Sequence, residues 1–444
     1  MKYLAILGRQ PEISIAELEA VSGAEWREIP SSGRVARARL HGASALTLAL
    51  QGSEIPSEGI FAPLNINRFG GTLKLAVELE EKPLEYLQGL PEGKITIGVS
   101  DYSGKASRKS ALDEALKLKK ILVRHGRSVR VVENKEAVLS TATSLHNGLS
   151  GKNERKVELI KLDDEWYRVI GVQDIDAYAK RDQARPARDA KVGMLPPKLA
   201  QILINLCGQL EPGATVLDPF CGTGVVLQEA LLMGYRAYGT DISERMVEYT
   251  KRNLDWLAQS KSIHSRGASL APVDLSGRPS GVASTRKASF PSARLLLRSA
   301  TGLARYPSPC QAPDPLELNT FWISQGDATS YQWEQPIDAV ACEGYLGKPF
   351  SQIPSEVALK EQKQECGAIV RGFLKNLAGQ IKSGTPVVIA VPAWLRPSGE
   401  YERLEIVDEI EDMGYNVSNK TREGLLYHRD GQVVARDILI LRKK

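Results

Sequence analysis

The sequence predicts an α/β protein: an N-terminal α/β half followed by a doubly wound parallel sheet. Three observations carry this prediction. Short alternating apolar runs are interleaved with amphipathic stretches along residues 1–173. From residue 214, strand and helix patterns alternate regularly, as in a parallel doubly wound sheet. The 444 residues are 42% hydrophobic and 25% charged, so the chain can bury a core and has the length of about two to three domains.

The first elements predict a small α/β unit. KYLAIL is typical of a strand, and Gly8 to Pro11 predict a turn after it. Ser14 is followed three residues later by Glu17, ahead of LEAV, which fits a capping box at the start of a helix. From about Leu73 to Leu162, runs such as KITIGVSD and VELIKL alternate with SALDEALKLKKILVRHG, which predicts a second α/β module.

The second half follows a polar segment, DIDAYAKRDQARPARD, that predicts a linker over 174–190. ATVLDPF, GVVLQEALLMG, RAYGTDI and SERMVEYTKRNLDWL then predict strand, helix, strand and helix. TFWISQGDA and IDAVACE resume the alternation after a break. Helices are expected over about Pro354 to Ile381 and near Tyr401 to Met413, and DILILRKK predicts a last strand.

The break spans residues 258–315, which are rich in Ser, Arg, Gly, Pro and Ala. A structureless loop of this length is uncommon inside a compact domain. Because such a composition buries little apolar surface, we predict a disordered basic insertion.

Positive charge is concentrated in two places, although the whole chain carries only +5. Residues 101–156 hold 13 Lys or Arg against 6 Asp or Glu, and residues 259–313 hold 8 against 1, so each segment has a net charge of +7. Basic segments on an otherwise acidic protein indicate a polyanion partner. A charge run can also be merely a solvated face, and charge alone does not decide between these.

Several classes of protein are disfavoured. The five cysteines have no short pair spacing, which argues against a disulfide framework and a thiolate zinc site and favours a reducing cytoplasm. The apolar run before Gly8 is too short for a signal peptide, and no later window resembles a membrane span, so we expect no membrane partner. His125, His146 and His428 lack partners at metal-ligand spacing, so no metal is predicted.

The segment DPFCGTG, Asp218 to Gly224, predicts a ligand-binding turn between a strand and a helix. Gly222 and Gly224 allow a ligand to approach the backbone, and the helix N-terminus offers free amides. No P-loop lysine follows and the dinucleotide motif GxGxxG is absent, so the turn favours a different nucleoside ligand.

Acidic residues end three successive predicted strands. Asp241 ends the next strand after Asp218, where a carboxylate can bind a ribose diol, and Asp327 ends the strand after the insertion. Asp218 suits an amino group, Asp241 suits a ribose, and Asp327 suits an exocyclic adenine amine. Each by itself could also be an N-cap carboxylate.

These motifs, with GTDIS and QGDAT, resemble the S-adenosylmethionine motifs of class I methyltransferases. The fuller set resembles the THUMP-containing tRNA guanine-N2 methyltransferases, a family with archaeal enzymes that act on guanosine-10 of tRNA. LGRQPEISIAELEAV, RPARDAKVGMLPPKLAQILINL and YHRDGQVVARDILILRK are similar to that family as well. The resemblance covers almost the whole chain outside the 258–315 insertion.

The resemblance implies the domain organisation and the cofactor site. It implies a ferredoxin-like unit over 1–64, a THUMP-type RNA-binding domain over 65–173, the linker over 174–190, and a Rossmann-like class I methyltransferase domain over 191–444. It also implies that S-adenosyl-L-methionine binds a set of residues at the ends of the strands. These are Asp218, Phe220, Gly222, Gly224, Asp241, Ile242, Asp327 and Ala328.

The family's target-base motif is an Asp or Asn, two prolines and an aromatic residue. Here the strand IDAVA continues into Cys342, Glu343, Gly344 and Tyr345, so the aromatic is kept and both prolines are absent. We expect Glu343 to accept a hydrogen bond from the exocyclic amine and Tyr345 to stack on a base lifted from its helix. Gly344 predicts a more flexible loop than proline would.

Substrate-binding residues are expected in two regions. The first region is the first basic segment, where Lys and Arg residues recur through a helix and the following strand. The main candidates there are Lys105, Arg108, Lys120 and Arg124. The others are Lys109, Lys117, Lys119, Arg127 and Arg130. Near the C-terminus, the resemblance places Tyr427, Arg429, Gln432 and Arg436 by the target base or its backbone, although a hairpin edge with solvated charges would have the same pattern. Arg181, Arg185 and Arg188 of the linker could contact phosphate or the catalytic domain.

The expected function is a cytoplasmic, S-adenosylmethionine-dependent tRNA (guanine-N2)-methyltransferase with tRNA as partner. An activator subunit is left open. Two alternatives also remain open: an amino methyltransferase acting on rRNA guanine or DNA adenine, and a catalytically silent THUMP-type RNA-binding protein.

Overall fold

The computed structural model describes residues 2–29, 35–39, 65–104, 106–189, 194–266 and 321–444. Within these ranges the chain forms two mixed sheets flanked by helices, which confirms the predicted α/β class. The first sheet has eight strands and the second has nine. Most of the predicted insertion, 258–315, lies outside the described residues, as does Lys105.

The first sheet and its helices come from residues 2–183. The strands are β1 Lys2–Leu7, β2 Arg27–Glu28, β3 Val35–Arg39, β4 Thr72–Glu78, β5 Ile95–Asp101, β6 Val129–Val131, β7 Lys156–Leu162 and β8 Glu165–Val172. The helices are α1 Pro11–Ser22, α2 Pro83–Gln88, α3 Arg108–Arg124, α4 Thr141–His146 and α5 Ile175–Gln183, with a 3-10 turn at Ile66–Arg68.

The strand order of this sheet is β2-β3-β1-β4-β8-β7-β5-β6. β1 pairs antiparallel with β3 and with β4. Strands from both sides of residue 64 therefore belong to one sheet, whereas the sequence suggested two separate units over 1–64 and 65–173.

Helix α1 starts earlier than predicted. Pro11 occupies its first turn, where the missing N–H is no loss, and its N-cap residue Gln10 makes no side-chain cap. Ser14 lies inside the helix and its hydroxyl donates to the carbonyl oxygens of Gln10 and Gly71. The predicted capping box of Ser14 and Glu17 is therefore wrong, although the helix itself is present.

Glu17 instead joins the two halves of the protein. Its buried carboxylate accepts hydrogen bonds from the backbone N–H groups of Gly70 and Gly71 and from Asn205 Nδ2, each at 2.8 Å. Burial raises its pKa to about 7, against the lowering effect of these three hydrogen bonds. Ile13 and Ala16 of the same helix pack in one core with residues of the second sheet.

The second sheet and its helices come from residues 197–443. The strands are β9 Thr215–Asp218, β10 Arg236–Asp241, β11 Phe321–Gln325, β12 Ala339–Glu343, β13 Pro386–Leu395, β14 Tyr401–Arg403, β15 Tyr415–Val417, β16 Leu426–Tyr427 and β17 Val434–Lys443. The helices are α6 Pro197–Leu206, α7 Val225–Leu232, α8 Glu244–Arg266, α9 Glu356–Ala378, α10 Val407–Ile410 and α11 Asn419–Glu423.

The strand order is β11-β10-β9-β12-β13-β17-β15, with β14 on β13 and β16 on β17. Pairing is parallel from β11 to β13, while β17 runs antiparallel to β13. The chain moves outward from β9 to β11 and then returns to the other side of β9 with β12. This reversal makes a crevice at the carboxyl ends of β9 and β12, where doubly wound folds bind ligands.

Three segments differ from the sequence interpretation. The predicted linker contains α5, which is capped by Asp174 and buries Tyr178. Helix α8 continues to Arg266, past the expected start of the insertion at 258. The predicted helix near Tyr401 to Met413 is wrong, because β14 pairs there with β13 and only the short α10 follows.

Within the described part of the chain, no helix is long and apolar enough to cross a bilayer. Among the same residues, no group of three or more His, Cys, Asp or Glu side chains is arranged to hold a metal ion. The four described cysteines, Cys207, Cys221, Cys342 and Cys366, are free and buried.

Candidate active site

A cavity of about 1240 Å³ opens at the carboxyl ends of the parallel strands. Its lining includes Asp218 at the end of β9, Asp241 at the end of β10, Asp327 after β11 and Glu343 at the end of β12. The cavity also reaches residues of the C-terminal hairpin, including Arg436. It therefore brings the predicted cofactor residues and the predicted target-base residues into one space.

The turn between β9 and α7 needs its glycines. Gly222 and Gly224 adopt positive φ values of 53° and 80°, a region that residues with a Cβ rarely occupy. A Cβ on Gly224 would also lie 2.9 Å from Thr250 Cγ2. The Thr250 hydroxyl donates to the Gly222 carbonyl oxygen at 2.9 Å, so α8 holds the turn from behind.

Asp218 is a buried carboxylate with spare acceptor capacity. Its Oδ1 accepts a hydrogen bond from Phe220 N at 3.1 Å, whereas Oδ2 has no hydrogen bond within the described residues. Burial first, and then the nearby Asp241 and Glu343, raise the pKa of Asp218 well above its usual value. A bound cation would relieve this unfavourable position, so the residue suits an ammonium group.

Asp241 ties the glycine turn to the end of β10. Its Oδ2 accepts from Gly222 N and its Oδ1 from Ser243 N, both at 2.9 Å. Each carboxylate oxygen keeps a further lone pair for a ligand hydroxyl. The next residue, Ile242, is 68% exposed and lines the cavity, which offers an apolar surface to a flat ring.

Asp327 and Ala328, which follow β11, form the third side of the group of predicted cofactor-binding residues, called the cofactor edge below. Asp327 Oδ1 accepts from the backbone N–H and the hydroxyl of Thr329, which lowers the pKa of Asp327. Ala328 is buried, and its carbonyl oxygen accepts from Asn376 Nδ2 on α9. Phe220 packs its ring edge-to-face on Phe373, 5.3 Å between centroids.

Glu343 forms an ion pair inside the cavity. Its Oε1 accepts a hydrogen bond from Arg436 Nε at 2.6 Å, and the two side chains are only 16% and 9% exposed. Arg436 lies on β17, opposite Pro392 of β13 and Tyr427 of β16. The predicted base-contacting arginine is thus placed against the predicted acceptor, across two strands.

The loop after Glu343 makes hydrogen bonds to β13 and to α9, and its flexibility relative to a proline-containing loop stays a prediction. Gly344 is buried, and its N–H extends the sheet by donating to Ala390 O at 2.9 Å. Lys348 N donates to Gln362 Oε1 of α9 at 2.7 Å. Gly347, with φ 81°, allows this contact, because a Cβ there would lie 2.3 Å from the same oxygen.

Tyr345 is half-buried and its ring lines the cavity. Its hydroxyl donates to Glu365 Oε1 of α9 at 3.1 Å. Burial and the neighbouring Glu365 raise the pKa of Tyr345. The phenol is therefore anchored on α9 at the wall of the cavity.

Comparison with known proteins shows which methyltransferases the chain is similar to. A family model described as "DNA methylase" matches residues 135–252. A tRNA (guanine(10)-N2)-dimethyltransferase of Methanothermobacter thermautotrophicus is 51% identical over 75 residues, which are 16% of this chain and 22% of the relative. The enzyme of the same name from Methanocaldococcus jannaschii is 31% identical over 130 residues, 29% of this chain and 36% of the relative.

These relatives confirm the predicted resemblance, over a limited part of their length. The chain matches 22% and 36% of the two relatives, well under half of either. Among solved structures, TrmN from Thermus thermophilus is similar over 100% of both chains at 15% identity, with a TM-score of 0.44. None of these matches names a THUMP domain, which stays a prediction.

The predicted RNA-binding residues fall into two groups. Arg108, Lys120 and Arg124 lie exposed on α3, away from the cavity lining. Arg127 and Arg130 instead have partners within the protein: Arg127 donates to the carbonyl oxygens of Leu90 and Pro91, and Arg130 to Asn147.

The candidates near the C-terminus and in the linker likewise include both exposed residues and residues buried within the protein. Arg429 is exposed, and Tyr427 packs partly buried against the core beneath β12 and β13. Arg181 pairs with the buried Glu229 at 2.7 Å and so holds the linker onto the catalytic half. Arg185 is itself buried and pairs with Asp182 of the same segment at 3.3 Å. Arg188 is exposed.

Sequence reasoning missed Arg245 and Lys348 as cavity-lining residues, whereas Gln432, expected by resemblance near the target base, does line the cavity. Arg245 belongs to a helix whose amphipathic pattern marks it merely as solvent-facing. Lys348 had a usable signal, since it follows Gly347 in the same loop as Tyr345.

Proposed function

We propose that this protein is an S-adenosylmethionine-dependent methyltransferase that methylates the exocyclic N2 amine of a guanosine in tRNA. The observation that carries the proposal is the single cavity that joins three strand-end carboxylates to Glu343 and Tyr345. The relatives named tRNA (guanine(10)-N2)-dimethyltransferase support the reaction and make guanosine-10 the first position to test.

The residues of the cofactor edge fit S-adenosylmethionine. Asp218 has an unused oxygen for the amino group, Asp241 keeps lone pairs for the ribose hydroxyls, and Ile242 offers its apolar surface to the adenine. Asp327 Oδ2 is left for the adenine amine, since Oδ1 is used by Thr329. When bound, this cofactor supplies an electrophilic methyl group on sulfonium, which becomes a thioether as the methyl leaves.

Glu343 and Tyr345 position the acceptor amine. Glu343 Oε2 has no hydrogen bond within the described residues, and Oε1 keeps one lone pair beside Arg436. The two oxygens can therefore accept the N1–H and an N2–H of guanine, while Tyr345 stacks on the base. Fixing the amine in this way turns its lone pair toward the methyl donor. After the N–CH₃ bond has formed, the amine releases one proton to Glu343 or water.

The N-terminal half supplies the grip on RNA in this proposal. We assign residues 65–173 to a THUMP-type domain, with Arg108, Lys120 and Arg124 of α3 facing the phosphate backbone. The contacts of α1 with α6 and with the hairpin, where Gln10 donates to His428 O, fix this half relative to the cavity. A cytoplasmic location follows from the tRNA substrate and agrees with four free, buried cysteines.

A second candidate is methylation of adenine in DNA, which the "DNA methylase" match over residues 135–252 favours. The Glu343–Arg436 pair offers an acceptor beside a donor, and the N6 amine and N1 of adenine need both. The exposed cations of α3 bind either nucleic acid. Analysis of the methylated nucleoside separates the two.

The test is transfer of labelled methyl from S-adenosylmethionine to unmodified tRNA, followed by nucleoside analysis. We expect labelled N2-methylguanosine with the wild type and none with Asp218→Ala or Glu343→Ala. Glu409→Ala is the matched control, because this exposed carboxylate pairs with Arg371 outside the cavity lining. Labelled N6-methyladenosine, or the absence of label despite cofactor and tRNA binding, would overturn the proposal.

A further inference from the structure

Arg436 has hydrogen-bond donors that the protein does not use. Only its Nε donates within the described residues, to Glu343 Oε1, so Nη1 and Nη2 have no partner there. The side chain is 9% exposed and lines the cavity. Because they lie at the cavity wall and have no partner among the described residues, these two amino groups can donate to an acceptor on a bound ligand.

The position of Arg436 is fixed by the sheet. Its strand β17 pairs with β13 at Pro392 and with β16 at Tyr427, while Glu343 ends β12, the strand on the other side of β13. Two side chains on strands that flank β13 in one sheet keep a constant separation, which a recognition site requires.

The hydrogen-bonding groups of Glu343 and Arg436 match all three groups on one edge of guanine. The Watson–Crick edge of guanine presents, in a row, the acceptor O6 and the donors N1–H and N2–H. Glu343 can take the two donors, and a free amino group of Arg436, next to the carboxylate, then meets O6. We propose that Arg436 reads O6 of the target guanine while its Nε holds Glu343 in place, an inference that rests on the proposed function.

Other bases leave part of this arrangement unpaired. Adenine and cytosine each present one amine next to a ring nitrogen acceptor on this edge, so either base leaves one oxygen of Glu343 without a donor. A site built to hydrogen-bond a substrate group strongly rejects analogues that lack it, because its buried polar groups are left unpaired. Arg436 therefore acts as a specificity residue in addition to positioning Glu343.

The experiment compares two tRNAs that differ in one atom. Ligated tRNA carries either guanosine or 6-thioguanosine at the position that the wild type methylates; the thio base keeps N1–H and the N2 amine but replaces O6 with the weaker acceptor sulfur. For the wild type we expect kcat/KM to be about tenfold higher with guanosine, the effect of weakening one charge-assisted hydrogen bond.

Two variants of Arg436 distinguish recognition of O6 from positioning of Glu343. Arg436→Met should lower kcat/KM for guanosine about 100-fold and bring the preference over 6-thioguanosine to about one, since both hydrogen bonds are lost. Arg436→Lys restores a cation beside Glu343 but lacks the planar fork. It should recover part of the rate while the preference stays near one.

Arg403→Met is the matched control. Arg403 Nε donates to the buried Asp437 at 2.6 Å in the same sheet, and Arg403 does not line the cavity. This variant loses stability through a similar ion pair, so urea unfolding should show the loss while the preference for guanosine stays at the wild-type value.

The outcomes distinguish this inference from the proposed function. A wild type that forms no N2-methylguanosine overturns both. A wild type that forms it, together with an Arg436→Met protein that retains the tenfold preference at a reduced rate, overturns only the O6 assignment and leaves Arg436 as a partner of Glu343. Loss of the preference in both Arg436 variants, but not in Arg403→Met, supports it.

Discussion

Two buried ion pairs, one in each sheet, are built on different principles. Lys74 and Glu158, both at most 1% exposed, lie in the first sheet, and Lys74 Nζ donates to Leu139 O, Ser144 Oγ and Glu158 Oε1. All three protons of this ammonium are used inside the protein. Arg436 and Glu343 lie in the second sheet, and Arg436 uses one donor within the described residues.

The difference teaches how to separate a structural pair from a functional one. A cation that satisfies every donor internally stabilises its surroundings and offers nothing to a ligand. A cation that keeps donors at a cavity wall is complete only when a ligand is bound. Burial alone does not distinguish the pairs, since both are largely removed from water.

Glu343→Gln should have the largest effect. The amide cannot accept two hydrogen bonds from guanine, and its NH₂ group opposes Arg436, so we expect methyl transfer to fall by about 10²–10⁴-fold. Cofactor affinity, measured by titration calorimetry, should stay within about twofold, because the carboxylates of the cofactor edge are unchanged. Equal loss of cofactor binding and transfer would contradict the assigned role of Glu343.

Lys74→Met should act on stability instead. Removing one partner leaves Glu158 as a buried, unpaired charge, and we expect a loss of about 3–5 kcal/mol in the free energy of unfolding, measured in urea. The double variant Lys74→Met/Glu158→Leu should regain most of it, since apolar replacement of a whole buried pair is often nearly neutral. A selective change in methyl transfer per folded molecule would contradict the purely structural role assigned to the Lys74–Glu158 pair.

Glu17 tests a third kind of buried carboxylate, one held by N–H donors without a cation. Its pKa in the folded protein is raised to about 7, so its stabilising contribution is present below the unfolded value near 4.5 and is lost as the pH rises through 7. The full loss is about 3 kcal/mol. Glu17→Gln should flatten this part of the pH dependence of urea unfolding between pH 4.5 and 8. An unchanged profile would assign the dependence to other groups.

Substitutions on α3 should have the smallest effects. Arg108→Ala, Lys120→Ala and Arg124→Ala should each weaken tRNA binding and reduce the slope of log K against log salt by about one. Glu114→Ala is a control of opposite sign on the same helix, because it removes the partner of Lys117. A salt-independent affinity of the wild type would remove α3 from the RNA surface.

Most of the candidate cofactor-binding residues could be predicted from the sequence because the signals for them are local. A strand ending in Asp218, two glycines and a following helix lie within a few residues, and the glycines need their positive φ values whatever surrounds them. Glu343 was predicted by resemblance, from its place in the family's target-base motif beside Tyr345. The α/β class followed from the alternation of strand and helix patterns.

Local signals failed where a distant segment competed. Ser14 and Glu17 have the spacing of a capping box, but Gly70, Gly71 and Asn205 bind Glu17 in the fold. Residues 401–403 pair with β13 instead of starting a helix, because that strand offers free backbone groups at its edge.

Local sequence patterns specify the strand ends, the glycine turn and the acidic residues of the candidate site, since each depends on neighbours within one turn or strand. Which cation faces which carboxylate depends on how distant strands pack. Arg436 and Glu343 are 93 residues apart, and their contact exists because β17 inserts antiparallel beside β13. Strand order is set by packing of the whole sheet, and no local pattern encodes it.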